Sequence, residues 1–566
     1  MTEFTIRVAA AQFHVGADVE ANLAACLYWL EQASQCSPDL VVLPEFCNHL
    51  SWYEDKQHCF DVSVQLDGPF LQAIASKARE LGIYVVANCT VQRADGSATG
   101  SSLLYAPGGE LLADNTKQIY IGHENDFLAT AVTEGPVVAT PLGRLGLYAC
   151  MDGVINETPR CLALNGAQVM LNSLNSFATD EASLHIPVRA AENKVFVVAA
   201  NKIGPLVPEE MIDGISAATG IPLAFLCGAG ESQVVAPDGR VLAKASRDRA
   251  EYVYADIEPA QADIKTRPDG TDIFASRQPA LYAPISENPA AQVLPPMTGQ
   301  LQLRAAVVQL ARSGDIEEAC AAVLEACAKG AQLIALPPMA GDPAVPEVAI
   351  ARGAELLARV AACCGDSVVA TTVLRAGDGA PYRHSAVLIN SKGICYEQPQ
   401  VHESARFADS ARASQFSAVE LPFGRVAVIT SDDSIYPETF RLLALAGVEV
   451  AVVPLSPLED WELATGLLER SAENRINLLV APDTLARGCG FITALQTDFT
   501  VLTEWQDRPF DGLLSQPEWF VCPAQAGVFL HTVRPANAAN KVVSRNTDLL
   551  ADRPWRVASA ITRDRV

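Results

Sequence analysis

Three side chains that can do acid–base or nucleophilic chemistry follow apolar stretches in the first half of the chain. Glu45 follows LVVLP, Lys117 follows the turn-rich GGELLADNT, and Cys150 ends the run RLGLYA. Side chains at the ends of strands commonly face a functional site rather than the packed core. Cys150 also precedes a helical stretch, NETPRCLALNG, as in the strained strand-to-helix turn that exposes a nucleophile. Each position alone is ordinary, but together they make Cys150 a candidate nucleophile.

The order of these residues resembles the nitrilase, or carbon–nitrogen hydrolase, superfamily. Glu45 stands in LPEF, Cys150 stands in GRLGLYACMD, and the segments RAAEN (189–193) and APDGRVLA (236–243) follow as they do in that family. The resemblance covers about residues 5–260. It implies a Glu–Lys–Cys triad, a thioester intermediate and domains built as four-layer αββα sandwiches.

Physical chemistry suits these residue types to the implied roles. A free thiol has a pKa of about 8.5, so a base such as Glu45 must accept its proton at neutral pH. Lys117 and the backbone N–H of Met151 are expected to stabilise the oxyanion that forms when the thiolate attacks an amide. The family resemblance adds Glu124, which would orient the substrate or the lysine. We expect Asp152 either to line the site or to hold the turn at the nucleophile by accepting backbone hydrogen bonds.

The residues after the nucleophile narrow the substrate class. CMDGVINE (150–157) resembles the C-x-D-G-x-x-P-E motif of aliphatic amidases, with Asn156 in place of the proline, whereas true nitrilases tend to continue with Trp-Glu. We therefore expect a thiol amidohydrolase that cleaves a non-peptide C–N bond of a small linear amide or an N-carbamyl compound. Nitrile hydrolysis and acyl transfer to an amine by the same triad remain alternatives. A non-catalytic binding or scaffold protein is a further alternative, against which the intact triad argues.

Composition excludes several other classes of function. The net charge of −25 over 566 residues opposes binding to nucleic acid or to anionic membranes. The N-terminus lacks a basic region followed by an apolar run, and no apolar stretch is long enough to span a membrane, so we expect a cytoplasmic protein. The fifteen cysteines include no CxxC pair and the eight histidines no HExxH motif, so we expect neither a metal nor a cofactor.

The chain repeats itself once. IRVAAAQF (6–13) returns as LRAAVVQL (303–310), DLVVLPEF (39–46) as QLIALPPM (332–339), LGRLGLYACMD (142–152) as FGRVAVITSDD (423–433), and RAAEN (189–193) as RSAEN (470–474). Apolar strands alternate with amphipathic helical stretches in both copies, which indicates an α/β fold. We predict a catalytic domain at 1–265, a proline-rich connector at 266–301 and a second, degenerate domain at 302–566.

The second copy has lost the triad. Pro338 replaces Glu45, Gln400 is the best match to Lys117, and Ser431 replaces Cys150. An unactivated serine hydroxyl is a far weaker nucleophile than a thiolate, so this domain is expected to be catalytically inert. Its other segments persist, and the family's domains pair through helical faces. We therefore expect the two copies to pack as an intramolecular pseudo-dimer in which the inert copy supports or lids the active one. The chain could also form a homo-oligomer through another face.

Overall fold

The computed structural model describes residues 4–564. The chain forms two compact units. Unit 1 contains the chain up to Ile264 together with Asp498–Ser515 and Val542–Ile561, and unit 2 contains Lys265–Thr497, Gln516–Lys541 and the described residues from Thr562 onward. These limits differ from the predicted domain limits, because residues 266–301 pack within unit 2 and two stretches of the predicted second domain pack within unit 1.

The first copy contains fourteen strands and eight α-helices within the described residues. The strands are β1 (Ile6–Gln12), β2 (Leu40–Val42), β3 (Tyr84–Gln92), β4 (Ala98–Tyr105), β5 (Leu111–Thr116), β6 (Val137–Thr140), β7 (Gly143–Ala149), β8 (Val169–Ser173), β9 (Phe196–Ala200), β10 (Ile203–Pro205), β11 (Cys227–Ala229), β12 (Gln233–Val235), β13 (Val241–Lys244) and β14 (Glu251–Ile257). The helices are α1 (Val19–Ser34), α2 (Lys56–Val62), α3 (Pro69–Leu81), α4 (Glu124–Phe127), α5 (Met151–Val154), α6 (Glu157–Leu164), α7 (Ile186–Asn193) and α8 (Glu209–Thr219).

Two six-stranded sheets, β14-β1-β2-β3-β4-β5 and β13-β12-β9-β8-β7-β6, form the centre of unit 1. Side chains of β1 alternate between the two faces of its sheet. Val8 and Ala10 pack against Leu147 of the second sheet, whereas Ala9 and Ala11 pack under α1 and α3. Helices α6 and α7 pack against strands of the second sheet. Unit 1 is therefore the αββα sandwich that the family resemblance implied.

The second copy repeats this order. Its strands are β15 (Leu303–Gln309), β16 (Leu333–Ala335), β17 (Val368–Arg375), β18 (Arg383–Asn390), β19 (Gly393–Pro399), β20 (Val419–Leu421), β21 (Gly424–Val428), β22 (Val450–Leu455), β23 (Asn477–Pro482), β24 (Phe491–Ala494), β25 (Glu518–Val521), β26 (Gly527–Val533), β27 (Val542–Ser544) and β28 (Thr547–Asp548). Its helices are α9 (Ile316–Ala328), α10 (Pro346–Cys363), α11 (Pro437–Leu445), α12 (Leu467–Asn474) and α13 (Ser559–Thr562).

Unit 2 is a sandwich of the same kind. Its sheets run β19-β18-β17-β16-β15-β26 and β20-β21-β22-β23-β24-β25. Val307 and Val452 meet in the core between them, and α9 and α10 cover the outer face of the first sheet through Val323 and Leu356. Both copies thus keep the same layers, although only one keeps the triad.

Two late segments belong to unit 1 because they bury apolar side chains there. Phe499, Val501 and Leu514 lie in one apolar cluster with Met151 and Val154 of α5. Such burial stabilises by roughly 1.5–3 kcal/mol for each large apolar side chain. The strand pair β27–β28 belongs to the same unit. The segment that follows the nucleophile is therefore packed against residues more than 300 positions downstream.

The first part of the predicted connector is anchored by buried arginine. Arg267 Nη2 lies 2.7 Å from Glu462 Oε1, and Arg267 Nη1 lies 3.3 Å from Asp432 Oδ1. Arg277 Nε lies 3.1 Å from Glu438 Oε1. Buried ion pairs of this kind fix geometry, so residues 265–277 are an integral part of unit 2. Between residues 4 and 564, none of the helices combines the length and the apolar character needed to cross a membrane.

Candidate active site

Cys150 lies on a sharp turn between a strand and a helix. It follows β7 directly and precedes α5, with φ 46° and ψ −109°. A positive φ is costly for a residue other than glycine, and such strain concentrates at functional sites. The turn is held by the Cys150 backbone N–H, which donates to Ser173 O at 3.0 Å and to Asn172 Oδ1 at 3.1 Å. The strained backbone presents the thiol at the edge of the sheet.

The second copy provides an internal comparison for this strain. Lys194 and Arg475, which follow the repeated RAAEN and RSAEN segments, have nearly the same positive φ, 47° and 48°. Ser431 stands at the position of Cys150, yet within residues 4–564 it is not among the non-glycine residues with positive φ. A positive φ that caps a helix persists in both copies, whereas the strained turn is found only where the thiol is present.

A buried cluster of opposite charges contains Glu45, Lys117 and Glu124. Lys117 Nζ lies 2.8 Å from Glu45 Oε1 and 3.1 Å from Glu124 Oε2. The side chains of Lys117 and Glu45 are fully buried. The rings of Phe46 and Tyr120 flank the ammonium at 5.4 Å and 5.3 Å. The structure thus brings together two residues of the predicted triad and the predicted supporting Glu124.

The two carboxylates differ in how they are satisfied. Glu124 accepts hydrogen bonds from Ser51 Oγ at 2.9 Å and from Lys117 Nζ at 3.1 Å. Glu45 Oε1 lies 2.8 Å from Lys117 Nζ, and within residues 4–564 no other group donates a hydrogen bond to the Glu45 carboxylate. Glu124 is therefore held in place as a counter-ion of Lys117, while Glu45 keeps lone pairs that can accept a proton.

The pKa shifts of the buried groups also distinguish Glu45 from Glu124. Burial raises the pKa of Glu45 despite the nearby Lys117 charge, whereas Lys117, His123 and Ser51 together outweigh burial and lower the pKa of Glu124. Burial alone would lower the pKa of Lys117, but the two carboxylates hold it well above its usual range. Burial also raises the pKa of the Cys150 thiol, an effect that Glu45 reinforces and Lys117 opposes. Cys150 therefore rests as a thiol beside a carboxylate with raised proton affinity.

Asp152 holds the turn at Cys150, and Met151 begins the helix that follows it. Asp152 Oδ1 accepts hydrogen bonds from the backbone N–H groups of Gln118 at 3.0 Å and Ile119 at 2.9 Å, and its Oδ2 accepts one from Ala149 N–H at 3.3 Å. Of the two roles considered for Asp152, these bonds match the structural one, since they tie the turn at Cys150 to the segment after Lys117. Met151 is the first residue of α5, so its N–H has no acceptor within the helix.

Sequence reasoning missed Lys202, Ser51 and Asn172. Lys202 is fully buried, and its Nζ has no hydrogen-bond partner within the described chain. Burial lowers the pKa of Lys202 to about 8. Lys202 follows the apolar strand VFVVAA by two residues, so the strand-end pattern that singled out the triad could have found it. Ser51 and Asn172 carry no comparable signal because they act through hydrogen bonds to Glu124 and to the Cys150 backbone.

The cavity at Cys150 is small and is closed by residues from a distant segment. Its volume is about 40 Å³, and its lining includes Cys150, Phe177, His185, Leu514 and Ser515. Leu514 and Ser515 belong to unit 1. The Ser515 N–H donates to Asp180 Oδ2 at 2.6 Å. Residues 498–515 therefore form one wall of the candidate site.

Comparison with known proteins places the chain in a family. The carbon-nitrogen hydrolase family model matches residues 7–264 and 304–483. A nitrilase of Pyrococcus abyssi is 27% identical over 255 residues, which are 45% of this chain and 89% of that protein. An (R)-stereoselective amidase of a Pseudomonas species is 29% identical over 257 residues, 44% of this chain and 84% of that protein.

Two further relatives have amidase names. The omega-amidase NIT2 of Bos taurus is 26% identical over 291 residues, 49% of this chain and 97% of that protein. A solved structure of an amidase from Nesterenkonia AN1, of the nitrilase superfamily, is 25% identical with a TM-score of 0.39 and covers 45% of this chain and 92% of its own. Because the family model matches most of the chain in two segments, the protein belongs to the carbon-nitrogen hydrolase family and is a carbon–nitrogen hydrolase with a tandem repeat.

Proposed function

We propose that unit 1 hydrolyses the C–N bond of small linear amides or N-carbamyl compounds through a thioester on Cys150. The amidase names of two relatives support an amide substrate. The observation that carries the proposal is the buried cluster in which Lys117 Nζ lies 2.8 Å from Glu45 and 3.1 Å from Glu124, beside a thiol on a strained turn. A purely structural ion pair would not need the strained turn at the thiol.

Acylation begins when Glu45 accepts the proton of the Cys150 thiol. The thiolate attacks the amide carbon, and the carbonyl oxygen becomes an oxyanion. Lys117, held in its charged form by two carboxylates, and the N–H of Met151 stabilise that charge in a buried site where electrostatic interactions are strong. Protonated Glu45 then gives its proton to the leaving nitrogen, the C–N bond breaks, and an acyl thioester remains on Cys150.

Deacylation reuses the same groups. Glu45, again a carboxylate, accepts a proton from water, and the hydroxide attacks the thioester carbon. The oxyanion collapses, the C–S bond breaks, and the Cys150 sulfur regains the proton from Glu45. The acid leaves, and the site returns to its starting protonation. A carboxylate whose pKa is raised above the ordinary glutamate value holds a proton more readily and can serve in both directions.

A substrate panel tests this function. Purified wild-type protein and the Cys150→Ala variant would be incubated with short linear amides, N-carbamyl amino acids and short nitriles while ammonia release is recorded. We expect ammonia from amides or N-carbamyl compounds with the wild type alone. Release from nitriles alone would overturn the amide assignment, and equal release by Cys150→Ala would overturn the role of the thiol. Loss of all turnover in Cys150→Ala would also support an inert second copy.

The pH profile should have its acidic limb above the ordinary range of a glutamate. Glu45 must be a carboxylate to accept the thiol proton, and its pKa is raised. Falling pH therefore protonates Glu45 and removes activity at a higher pH than an exposed glutamate, whose pKa is about 4.3, would. Measuring kcat/KM of the best amide between pH 4 and 9 checks this. A rate that stays constant down to the ordinary glutamate pKa would contradict the assignment of Glu45 as the base.

Leu514 should limit the length of the acyl chain. It is buried and lines the 40 Å³ cavity at Cys150. Leu514→Ala opens that wall, so we expect kcat/KM for a longer amide such as hexanamide to rise relative to acetamide by about tenfold, at a cost of about 2–3 kcal/mol in stability. The matched control is Leu502→Ala, an exposed leucine of the same segment. An unchanged ratio in Leu514→Ala would exclude this wall from substrate selection.

A further inference from the structure

Unit 2 has a large cavity at the position where unit 1 has its catalytic site. The cavity measures about 440 Å³, and its lining includes Pro338 and Ser431, the counterparts of Glu45 and Cys150. That volume lies within the range of about 300–1,000 Å³ found for small-molecule sites. The loss of the triad has therefore left a pocket rather than a filled core.

The polar groups that line this cavity differ from those at the candidate site of unit 1. His384, Ser456 and Asp483 line it together with Ser431. His384 Nδ1 lies 2.7 Å from Gln400 Oε1, and burial lowers the pKa of His384. A neutral imidazole that donates from Nδ1 to the amide oxygen keeps Nε2 as an acceptor. The site thus exposes acceptor groups where unit 1 has a thiol and an ammonium.

The lining of this cavity contains an acidic residue, Asp483, at the position where unit 1 has the basic Lys202. Lys202 and Asp483 occupy equivalent positions, since each stands nine residues after the asparagine that ends RAAEN or RSAEN. Asp483 Oδ2 accepts a hydrogen bond from Ser456 Oγ at 2.5 Å, and burial raises the pKa of Asp483. A half-buried carboxylate whose side-chain hydrogen-bond partner is a neutral hydroxyl favours a cationic ligand.

Arg406, a basic residue of the lining, is paired through its two terminal nitrogens, while its Nε has no hydrogen-bond partner within residues 4–564. Arg406 Nη2 lies 2.6 Å from Asp432 Oδ1, and its Nη1 donates to Ser456 O at 3.0 Å. Arg267 shares Asp432 and pairs with Glu462. Two guanidinium groups therefore face Asp432, Glu462 and, at 4.0 Å, the carboxylates of Asp269 and Glu459. The lining also contains the exposed Arg352 and Asp342. With these two counted, the named carboxylates still outnumber the named cations, so the surrounding charge is negative.

An unsatisfied hydroxyl points to a ligand independently. Thr372 lines the cavity and is 1% exposed, and its Oγ1 has no hydrogen-bond partner within residues 4–564. A buried hydroxyl without a partner carries a desolvation cost that no hydrogen bond offsets. Its counterpart in the first copy, Asn88, donates to Ser102 Oγ at 3.0 Å. Thr372 thus offers a hydrogen bond that no group of the described protein uses.

We propose that this cavity binds a small molecule with a primary ammonium group on a short apolar body. The ammonium lies against Asp483, with His384 Nε2 and the Thr372 hydroxyl as further acceptors. The apolar body packs on Met339, Val348 and Ala349. This binding site is separate from the catalytic site at Cys150 and does not depend on the substrate of unit 1.

The test is a calorimetric titration of the full-length chain with n-butylammonium at neutral pH. n-Butyrate and n-butanol serve as probes with the opposite charge and with no charge. We expect saturable binding of n-butylammonium, binding at least about tenfold weaker in Asp483→Asn, and no change in Asp366→Asn, an exposed aspartate outside the lining. Equal affinity for Asp483→Asn and wild type, tighter binding of n-butyrate, or no saturable binding of n-butylammonium would overturn the proposal.

Thr372→Val separates binding from folding. Because Thr372 Oγ1 makes no hydrogen bond within residues 4–564, valine removes no internal hydrogen bond there. We expect an unchanged or higher melting temperature together with binding of n-butylammonium about threefold weaker. If Asp483→Asn does not fold, the affinity of Thr372→Val for n-butylammonium tests the site instead. Unchanged affinity in a folded Thr372→Val protein would overturn the assignment of that hydroxyl and, with it, the site.

Discussion

Glu45→Gln is expected to lower kcat/KM for amide hydrolysis by about 10³-fold while the protein remains folded. A positioned general base contributes about 10²–10⁴ to the rate, and the amide of glutamine cannot accept the thiol proton. Lys117 keeps its other partner, Glu124, at 3.1 Å, so the buried ammonium is not left alone. The measurement is steady-state kinetics on the best amide together with thermal unfolding.

The matched control for Glu45→Gln is Glu80→Gln. Glu80 is an exposed glutamate that forms a surface ion pair with Lys77 at 2.9 Å. Such pairs contribute about 0–1 kcal/mol, so neither activity nor stability should change much. Activity of Glu45→Gln within about threefold of the wild type would show that another group accepts the thiol proton.

Lys117→Met should damage both stability and activity. It leaves Glu45 and Glu124 buried without their shared ion-pair partner, and removing one partner of a buried ion pair costs about 3–5 kcal/mol. Loss of one oxyanion donor further lowers kcat by about 10²–10³. Denaturant unfolding and kinetics well below the melting temperature measure the two effects separately. Lys244→Met, at a half-exposed surface ion pair with Glu231, is the control.

A double variant separates the two effects of Lys117. Lys117→Met with Glu124→Gln removes one charge of each sign, so part of the lost stability should return. Activity should not return, because no ammonium faces the oxyanion. Recovery of turnover in the double variant would mean that Lys117 acts on the fold alone.

The sequence indicated candidate site residues by strand ends and by their order. Glu45 and Cys150 were proposed because each follows an apolar strand, and Lys117 because the order of the three residues resembles the family, while the repeat matched four segments of the two copies. Leu514 could not be located, since no local pattern links it to Cys150 and only the tertiary packing brings the two to one cavity. The same holds for Arg267, whose partners lie 165 and 195 residues further along the chain.

The spacing of apolar residues does not decide which residues at the margin of a helix's apolar face are buried. In α9 the apolar residues Ile316, Cys320, Val323 and Leu324 recur at helical spacing, yet Leu324 is 54% exposed. An apolar stripe on a helix is about 100° wide, and residues at its margin are not sorted by spacing alone. The neighbouring Val323 is fully buried, so the spacing indicates the helix but not which residue at the margin faces the core.

The thioester on Cys150 is the central claim, and trapping it is the most direct measurement. Wild-type protein would be mixed with a good amide substrate, quenched in acid within the first turnover and examined by intact mass and peptide mapping, with Cys150→Ala treated in parallel. We predict one acyl group per chain on the peptide that contains Cys150, released by hydroxylamine and absent from the variant. An acyl group on a different residue, or turnover that persists in Cys150→Ala, would contradict the account.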